Sequence, residues 1–218
     1  MTQYSERDET LSTPQGTLPV TTPANPTSPV QTTTTGSEPL NGRLIEIAAG
    51  AVTLPALLHL PANARGLAVL THGIEGGVDG SHAVVLAIAH VLHRSSLATL
   101  VVDLFSDGER ELDQGTDYFR LNTSIMEQRI LGIADWAQDN AATHNLALGY
   151  FGAGAMGAAA LVASAERPDA VVAVVSAGGR LELVQDTLGR VVTPALLIAS
   201  QQDTNAIQLH QRVLANLT

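Results

Sequence analysis

The chain of 218 residues contains no cysteine and no lysine, and aromatic residues make up only 3% of it. Without cysteine, a disulfide framework, a cysteine-ligated metal and a thiol nucleophile are all excluded. With so few aromatic residues, the core must consist of alanine, valine, leucine and isoleucine, which is the usual filling of a parallel sheet covered by helices. No apolar run reaches the roughly 18 residues that a membrane span needs.

The formal net charge is −10, and all basic residues are arginine. An acidic chain without a basic stripe is a poor match for nucleic acid or for an anionic membrane. The N-terminus, MTQYSERDET, lacks the basic start and apolar stretch of a secretory signal. We therefore expect a soluble, cytoplasmic protein that binds neither nucleic acid nor membrane, with no cofactor or metal.

Composition divides the chain at about residue 40. Residues 1–40 are mostly threonine, proline, serine and glutamine, with few large apolar side chains. Such a segment buries too little surface to offset its ordering entropy, so a disordered leader is predicted. Residues 41–218 are long enough for one α/β domain.

Strand and helix patterns alternate through this domain. Residues 43–48 and 52–60 predict a strand pair, and the apolar runs at 66–71 and 97–105 predict strands buried on both faces. Further strands are expected at 146–151, 170–176 and 194–200, and helices at 81–93, 125–140, 155–166, 181–188 and 205–217. The order predicts a doubly wound, mostly parallel sheet in a three-layer αβα arrangement. The acidic stretch 107–117 is interpreted as a solvated loop.

Ligands bind such sheets at the carboxyl ends of the strands. At the carboxyl end of the predicted strand 146–151, the sequence continues with GAGAMG at 152–157 and then with a predicted alanine-rich helix. Serine hydrolases place their nucleophile on a sharp strand-to-helix turn, G-x-S-x-G, where small residues are needed because the turn is tight. The location and the small residues at 152–157 suit such an elbow.

The stretch LALGYFGAGAMGAAALVASAERPDAVVAVVSAGGRLEL resembles the dienelactone-hydrolase-like α/β hydrolases, whose elbow reads G-Y-F-G-A-S-T-G-A-A-A-A-L. The similarity also covers GLAVLTHGIEGG, SLATLVVDLF, ADWAQDN and TPALLIASQQD, and it spans roughly residues 41–215. The resemblance implies an α/β-hydrolase fold and, for intact relatives, activity on ester or lactone bonds.

The resemblance assigns roles to particular positions. Gly154 stands where the family has its nucleophilic serine, and Met156 stands at the glycine two places later. Asp203 matches the acid of the triad. His72 and Gly73 stand at the end of the strand that supplies an oxyanion-hole amide in this family. Ala155, which directly follows the nucleophile position, is assigned to the same oxyanion-hole region.

The family's catalytic histidine would follow one more strand after Asp203, and the sequence ends at Thr218 before such a strand. We therefore expect a sheet without the last strand and a triad lacking both serine and histidine. Glycine has no side chain that could attack a carbonyl, so no acyl-enzyme can form at Gly154. The prediction is a degenerate hydrolase that binds a small ester- or lactone-like ligand or a protein partner.

Other interpretations stay open. The strand at 194–200 would be an exposed edge, which favours a homo-oligomer or another partner chain. A second interpretation is an active ester or lactone hydrolase, which would need a nucleophile other than residue 154 and a histidine from a partner chain. A third is a decaying or frameshifted gene product without a function. The pattern Gly152-x-Gly154-x-x-Gly157 after a strand suggests nucleotide binding, although no acidic residue follows at the usual distance.

A few further side chains are candidate site residues. Ser81 and Ser176 are candidate relocated nucleophiles, but Ser81 is better explained as a helix N-cap. His90 and His93 are three apart on a predicted helix and could share a metal, yet no third ligand is evident. His210 is expected at the surface of the last helix.

Overall fold

The computed structural model describes residues 42–73 and 77–214, without the side chains of residues 77–82, so the predicted leader lies outside it. The described strands form one seven-stranded sheet in the order β1-β2-β4-β3-β5-β6-β7. The β1–β2 and β2–β4 pairs are antiparallel and all other pairs are parallel. The strands are β1 (Arg43–Ala49), β2 (Val52–His59), β3 (Leu67–His72), β4 (Ala98–Asp103), β5 (Leu148–Ala153), β6 (Val171–Ala177) and β7 (Ala195–Ile198).

Helices cover both faces of this sheet, as the predicted three-layer arrangement requires. They are α1 (Gly77–His93), α2 (Asp107–Asp113), α3 (Thr123–Asp139), α4 (Ala155–Ala165) and α5 (Thr204–Leu214). α1 packs on β3 and β4, whereas α3 packs on β1 and α4 on β5 and β6 from the opposite face. Among the described residues, no helix has the length and apolar character needed to cross a membrane.

The small side chains of α4 set how closely this helix approaches the sheet. All residues from Ala155 to Ser164 are buried, and most are alanine or glycine. Side chains this small let the helix backbone lie close against β5 and β6, where Gly152 and Gly157 meet. The position of the turn that joins β5 to α4 is therefore fixed by packing along the whole helix.

Two predicted segments differ in the structure. The acidic stretch 107–117 is not a solvated loop, because its first part forms α2. Ser106 and Glu109 cap that helix reciprocally: the Ser106 N–H donates to the Glu109 carboxylate at 2.9 Å, and the Glu109 N–H donates to the Ser106 hydroxyl. The helix predicted at 181–188 is instead two 3₁₀ turns, Leu181–Leu183 and Leu188–Arg190.

The false helix at 181–188 has a simple cause. Leu181, Val184 and Leu188 are all buried, and their spacing imitates one face of an α-helix. Each turn closes with i→i+3 hydrogen bonds, such as Val184 N–H to the Leu181 carbonyl. Apolar spacing alone cannot separate two short turns from one continuous helix.

Candidate functional site

The turn between β5 and α4 has the backbone conformation expected of a hydrolase elbow, with glycine at its apex. Gly154 has φ 58° and ψ −134°, a conformation that favours glycine and strains any other residue. Its N–H donates to the Ala177 carbonyl at 3.0 Å, and its own carbonyl accepts the Arg180 N–H at 3.2 Å. The elbow is thus anchored to the loop after β6, while the nucleophile position carries no side chain.

The glycines on either side of Gly154 are required by close packing. A Cβ atom on Gly152 would lie 2.6 Å from the Met156 carbonyl carbon, and one on Gly157 would lie 2.8 Å from the Gly152 carbonyl oxygen. Strand and helix therefore touch backbone to backbone at this turn. This packing accounts for both outer glycines of the nucleotide-binding pattern, so that pattern by itself does not indicate a phosphate site.

Ser176 cannot serve as a relocated nucleophile in this conformation. Its side chain is fully buried, and its hydroxyl lies 2.5 Å from the position that a Cβ on Gly157 would take. That hydroxyl has no hydrogen-bond partner. It lies beneath the first turn of α4, out of reach of a substrate at the carboxyl end of the sheet.

His72 is the last residue of β3, and Gly73 follows it directly. A Cβ on Gly73 would lie 2.8 Å from the Phe105 ring and 3.1 Å from the Met156 sulfur. Met156 is 2% exposed. The methionine at the position of the family's glycine is therefore buried and, like Phe105, lies close against Gly73.

A charged cluster that sequence reasoning missed lies next to His72. Asp103 ends β4 in register with His72, and the His72 Nδ1 atom is 3.7 Å from an Asp103 carboxylate oxygen. The same carboxylate pairs with the Arg110 guanidinium and accepts the Phe105 N–H at 3.0 Å. Burial lowers the pKa of Arg110. The carboxyl edge of β3 and β4 thus presents a histidine backed by a carboxylate that an arginine orients.

A second ion pair fixes α2 beside this cluster. The Arg129 guanidinium, 7% exposed, pairs with Glu109 and also donates to the Leu104 carbonyl. It lies 5.4 Å from the centroid of the Phe105 ring, within cation–π range. Burial would raise the pKa of Glu109, but the hydrogen bonds from Arg129 and Ser106 outweigh it and hold that pKa below its usual value.

Asp203, at the predicted acid position, caps α5 instead of orienting a histidine. It is exposed, and its carboxylate accepts the Ala206 N–H at 2.9 Å. The described partner of that carboxylate is therefore the backbone of α5. The structure brings Asp203 to the correct end of the sheet without completing a triad.

The expectation that His210 lies at the surface is wrong. His210 is 4% exposed, its Nε2 atom lies 3.3 Å from the Gly179 carbonyl oxygen, and its Nδ1 atom has no partner. α5 turns this residue inward because Val213, one turn later, is buried on the same side. His210 therefore attaches α5 to the loop that also binds the elbow.

The remaining candidates are Ser81 and the histidines of α1. The side chain of Ser81 lies outside the described residues. The His93 ring stacks on His59, and in the part of the chain that the structure describes, no group of three histidine or acidic side chains is arranged to hold a metal ion.

Known proteins support the same fold and family. No protein-family model matches the chain. The crystal structure of dienelactone hydrolase from Anabaena variabilis is 36% identical, with a TM-score of 0.74 and 81% of both chains covered. For Est1E from Butyrivibrio proteoclasticus the TM-score is 0.59, and the superposition covers 81% of this chain and 85% of the Est1E chain. At 16% sequence identity, this similarity shows the fold alone.

Among curated proteins, one from Mycobacterium tuberculosis, found in two strains and provisionally named a phosphoribosyl transferase, is 34% identical over 177 residues. The match covers 81% of this chain but 39% of that protein, so the chain spans about two fifths of its relative's length. The identity and coverage shared with the Anabaena enzyme, together with the elbow geometry, show that the chain belongs to the dienelactone hydrolase family of α/β hydrolases.

Proposed function

We propose that this protein uses the elbow of a hydrolase fold to bind a small ester- or lactone-like molecule without cleaving it by serine chemistry. The observation that carries the proposal is Gly154, which keeps the elbow conformation but has no side chain. An acyl-enzyme needs an oxygen or sulfur nucleophile at this point. Loss of the nucleophile costs on the order of 10⁶ in kcat in a serine protease where it was measured.

What remains at the elbow favours binding. The first turn of α4 carries the positive end of the helix dipole, which attracts a carbonyl or carboxylate oxygen. A missing side chain at Gly154 leaves room for the ligand where an intact enzyme would have its nucleophile.

Active-site labelling tests the absence of serine chemistry. We expect no covalent labelling of the full chain by a fluorophosphonate probe and no hydrolysis of p-nitrophenyl acetate above buffer. The Anabaena variabilis relative is the positive control, and the heat-denatured chain is the negative control. Labelling of any residue of the native chain would contradict the proposal and identify the true nucleophile.

Binding is tested separately by thermal shift. We expect short lactones and the corresponding hydroxy acids to raise the melting temperature of the native chain, because a ligand that binds only the folded state stabilises it. In Gly154→Leu, whose side chain would occupy the vacated position, the same ligands should produce no shift. Equal shifts in both proteins would place the binding elsewhere.

A second candidate is hydrolysis by direct attack of water, and the pairing of His72 with Asp103 favours it. His72 would accept a proton from a water molecule while the water oxygen bonds to the ester carbonyl carbon. It would then give that proton to the alkoxide that leaves when the ester bond breaks. Asp103, oriented by Arg110, would stabilise the protonated imidazole. If hydrolysis is found without labelling, a loss of rate in His72→Gln and Asp103→Asn supports this candidate, and unchanged rates contradict it.

The name of the mycobacterial relative supports no transferase proposal for this chain. Its matched segment is two fifths of its length, and the fold of that segment in this chain is the hydrolase fold. Its remaining three fifths have no counterpart in the alignment.

A further inference from the structure

One corner of the molecule carries basic side chains although the chain is strongly acidic. It lies at the amino ends of β3 and β4, where Arg65 precedes β3 and Arg94 directly follows α1. Residues 47–74 and 80–102, which supply this corner, contain no aspartate or glutamate, although the chain has 21 acidic residues. The two segments therefore bring positive charge to the corner and no carboxylate of their own.

Backbone hydrogen bonds hold the two arginines close together. The Arg65 N–H donates to the Ser96 carbonyl at 3.0 Å, and the Ser96 N–H donates to the carbonyl of His93, the residue before Arg94, at 3.1 Å. The Asn63 side-chain amide donates to the Ser96 hydroxyl at 3.4 Å. Ser96 has a φ of 56°, which is unfavourable for a residue with a side chain and persists only where surrounding contacts fix it. The backbones of Arg65 and Arg94 are thus fixed relative to each other without a ligand.

Neither of these arginines has an ion-pair partner among the residues that the structure describes. Elsewhere in the chain arginines do face carboxylates, as Arg129 faces Glu109. Arg65 and Arg94 are both exposed. A guanidinium presents its N–H donors in a planar fork that matches a phosphate or carboxylate group. Two such forks without a counter-charge are complementary to an anion.

The inner side of the corner is lined by histidines. His93 stacks on His59, and His90 lies one turn earlier on α1. Burial first, and then the charges of these two neighbours, lower the pKa of His93, and no carboxylate among the described residues opposes that shift. An anion at the corner therefore meets little competing negative charge. We call Arg65 and Arg94, with the stacked pair His59 and His93, the basic corner.

We propose that the basic corner binds a phosphate group, either as the free ion or as the monoester of a small molecule, through Arg65 and Arg94. Two guanidiniums match the two negative charges of such a group and offer it paired N–H donors. Charges at physiological ionic strength are screened over about 8 Å, so a small anion responds mainly to these two arginines. An extended polyanion would also meet the carboxylates behind the net charge of −10.

The proposal does not depend on the ligand of the elbow. Arg65 lies before the first residue of β3, whereas His72, beside the elbow, is its last residue. The whole length of the strand therefore separates the two sites, and either can be tested without the other.

Arginine side-chain NMR is the first test. The ¹⁵N-labelled full chain is titrated at neutral pH and constant ionic strength with inorganic phosphate and, separately, with phenyl phosphate. We expect saturable shifts of the Arg65 and Arg94 Nε–H signals. Saturation by inorganic phosphate alone identifies the free ion as the ligand, and saturation by phenyl phosphate as well identifies a monoester. Shifts that do not saturate with either probe, or that are equally large at every exposed arginine, overturn the proposal.

Substitution of each arginine is the second test. Arg65→Gln and Arg94→Gln should each weaken phosphate binding about tenfold or more, because each removes charge-assisted hydrogen bonds. Their melting temperatures should equal that of the parent chain, since neither side chain has an ion pair to lose. Arg43→Gln is the matched control. Arg43 is also exposed, but it pairs with Leu58, whose side chain points away from the sheet face of His59. Equal affinities in all three variants would overturn the proposal.

A single-stranded oligonucleotide of about ten thymidines tests the alternative of a polyanion. We expect it to bind more weakly than phenyl phosphate, because most of its length would lie against an acidic surface. Tighter binding that is lost in Arg65→Gln would overturn the proposal and assign the basic corner to nucleic acid.

Discussion

The imidazole rings of His59 and His93 are stacked, with centroids 3.6 Å apart and planes inclined by 23°. β2 supplies one ring and the last turn of α1 supplies the other. His93 is further held by a 2.6 Å hydrogen bond between its Nε2 atom and the Thr99 hydroxyl. Burial, followed by the charges of His59 and His90, lowers the pKa of His93 to about 4. The stack is compatible with neutral rings and is disfavoured when His93 is charged.

We expect this pair to make the fold acid-sensitive. The pKa of His93 is lower in the folded state than its ordinary value of 6.5, so the unfolded chain binds more protons at acidic pH. The stabilisation is present above pH 6.5 and is lost as the pH falls toward 4. The melting temperature of the parent chain should therefore drop more between pH 7 and pH 4.5 than that of His93→Gln.

His144→Gln is the control for that comparison, because His144 is exposed and bonds to a backbone carbonyl. Its melting temperature should follow that of the parent chain at each pH. Parallel curves for the parent chain and His93→Gln would show that His93 does not carry the acid sensitivity.

Gly154→Ala should destabilise the fold although alanine is small. The φ of 58° at this position is unfavourable for a residue with a Cβ atom, and the cost is about 1–2 kcal/mol. Gly189→Ala, where a Cβ would meet no atom within 4 Å and the φ is not positive, should be nearly neutral. Urea unfolding measures both. Equal free energies of unfolding for the two variants would show that the elbow conformation is not strained.

Asp113→Asn should be among the more damaging substitutions outside the core. The Asp113 carboxylate is fully buried and accepts bonds from Arg120 Nε at 2.6 Å and Phe119 N–H at 2.6 Å. Burial would raise the pKa of Asp113, but the bonds from Arg120 outweigh it and lower that pKa. Leaving a buried hydrogen-bonding group without its partner costs about 1–3 kcal/mol. Asp117→Asn removes an exposed partner of the same arginine, so a similar loss in both variants would argue against this account.

The sequence predicts the sheet more completely than it predicts the site. All seven strands lie within or beside the segments predicted for them. β3 and β4 follow apolar runs because a strand buried on both faces must be apolar throughout. α2 has no such run, and the local signal that it does have, the capping pattern of Ser106 and Glu109, was not recognised. Its attachment beside the site depends on pairs such as Glu109–Arg129, whose members lie far apart in the sequence. Tertiary ion pairs of this kind leave no local pattern that a reading of the sequence could use.

The same limit explains the site. The resemblance places Gly154 at the elbow because small residues around a tight turn form a local motif. The contact of His72 with Asp103 arises only when β3 and β4 pair in register. The burial of His210 likewise depends on which side of α5 faces the molecule. The family motif thus locates the vacant nucleophile position, while its electrostatic neighbours become visible only in three dimensions.

Ser176→Ala should leave stability unchanged or raise it slightly, which is unusual for a buried polar residue. The Ser176 hydroxyl has no partner, and an unpaired buried hydroxyl costs about 1–3 kcal/mol. Thr71→Val is the matched control, because the buried Thr71 hydroxyl donates to the Phe151 carbonyl at 3.0 Å. Removal of that bond should lower the free energy of unfolding by about 1 kcal/mol. Equal destabilisation of the two variants in urea would mean that Ser176 has a bonding partner, and its burial beneath α4 would then need another explanation.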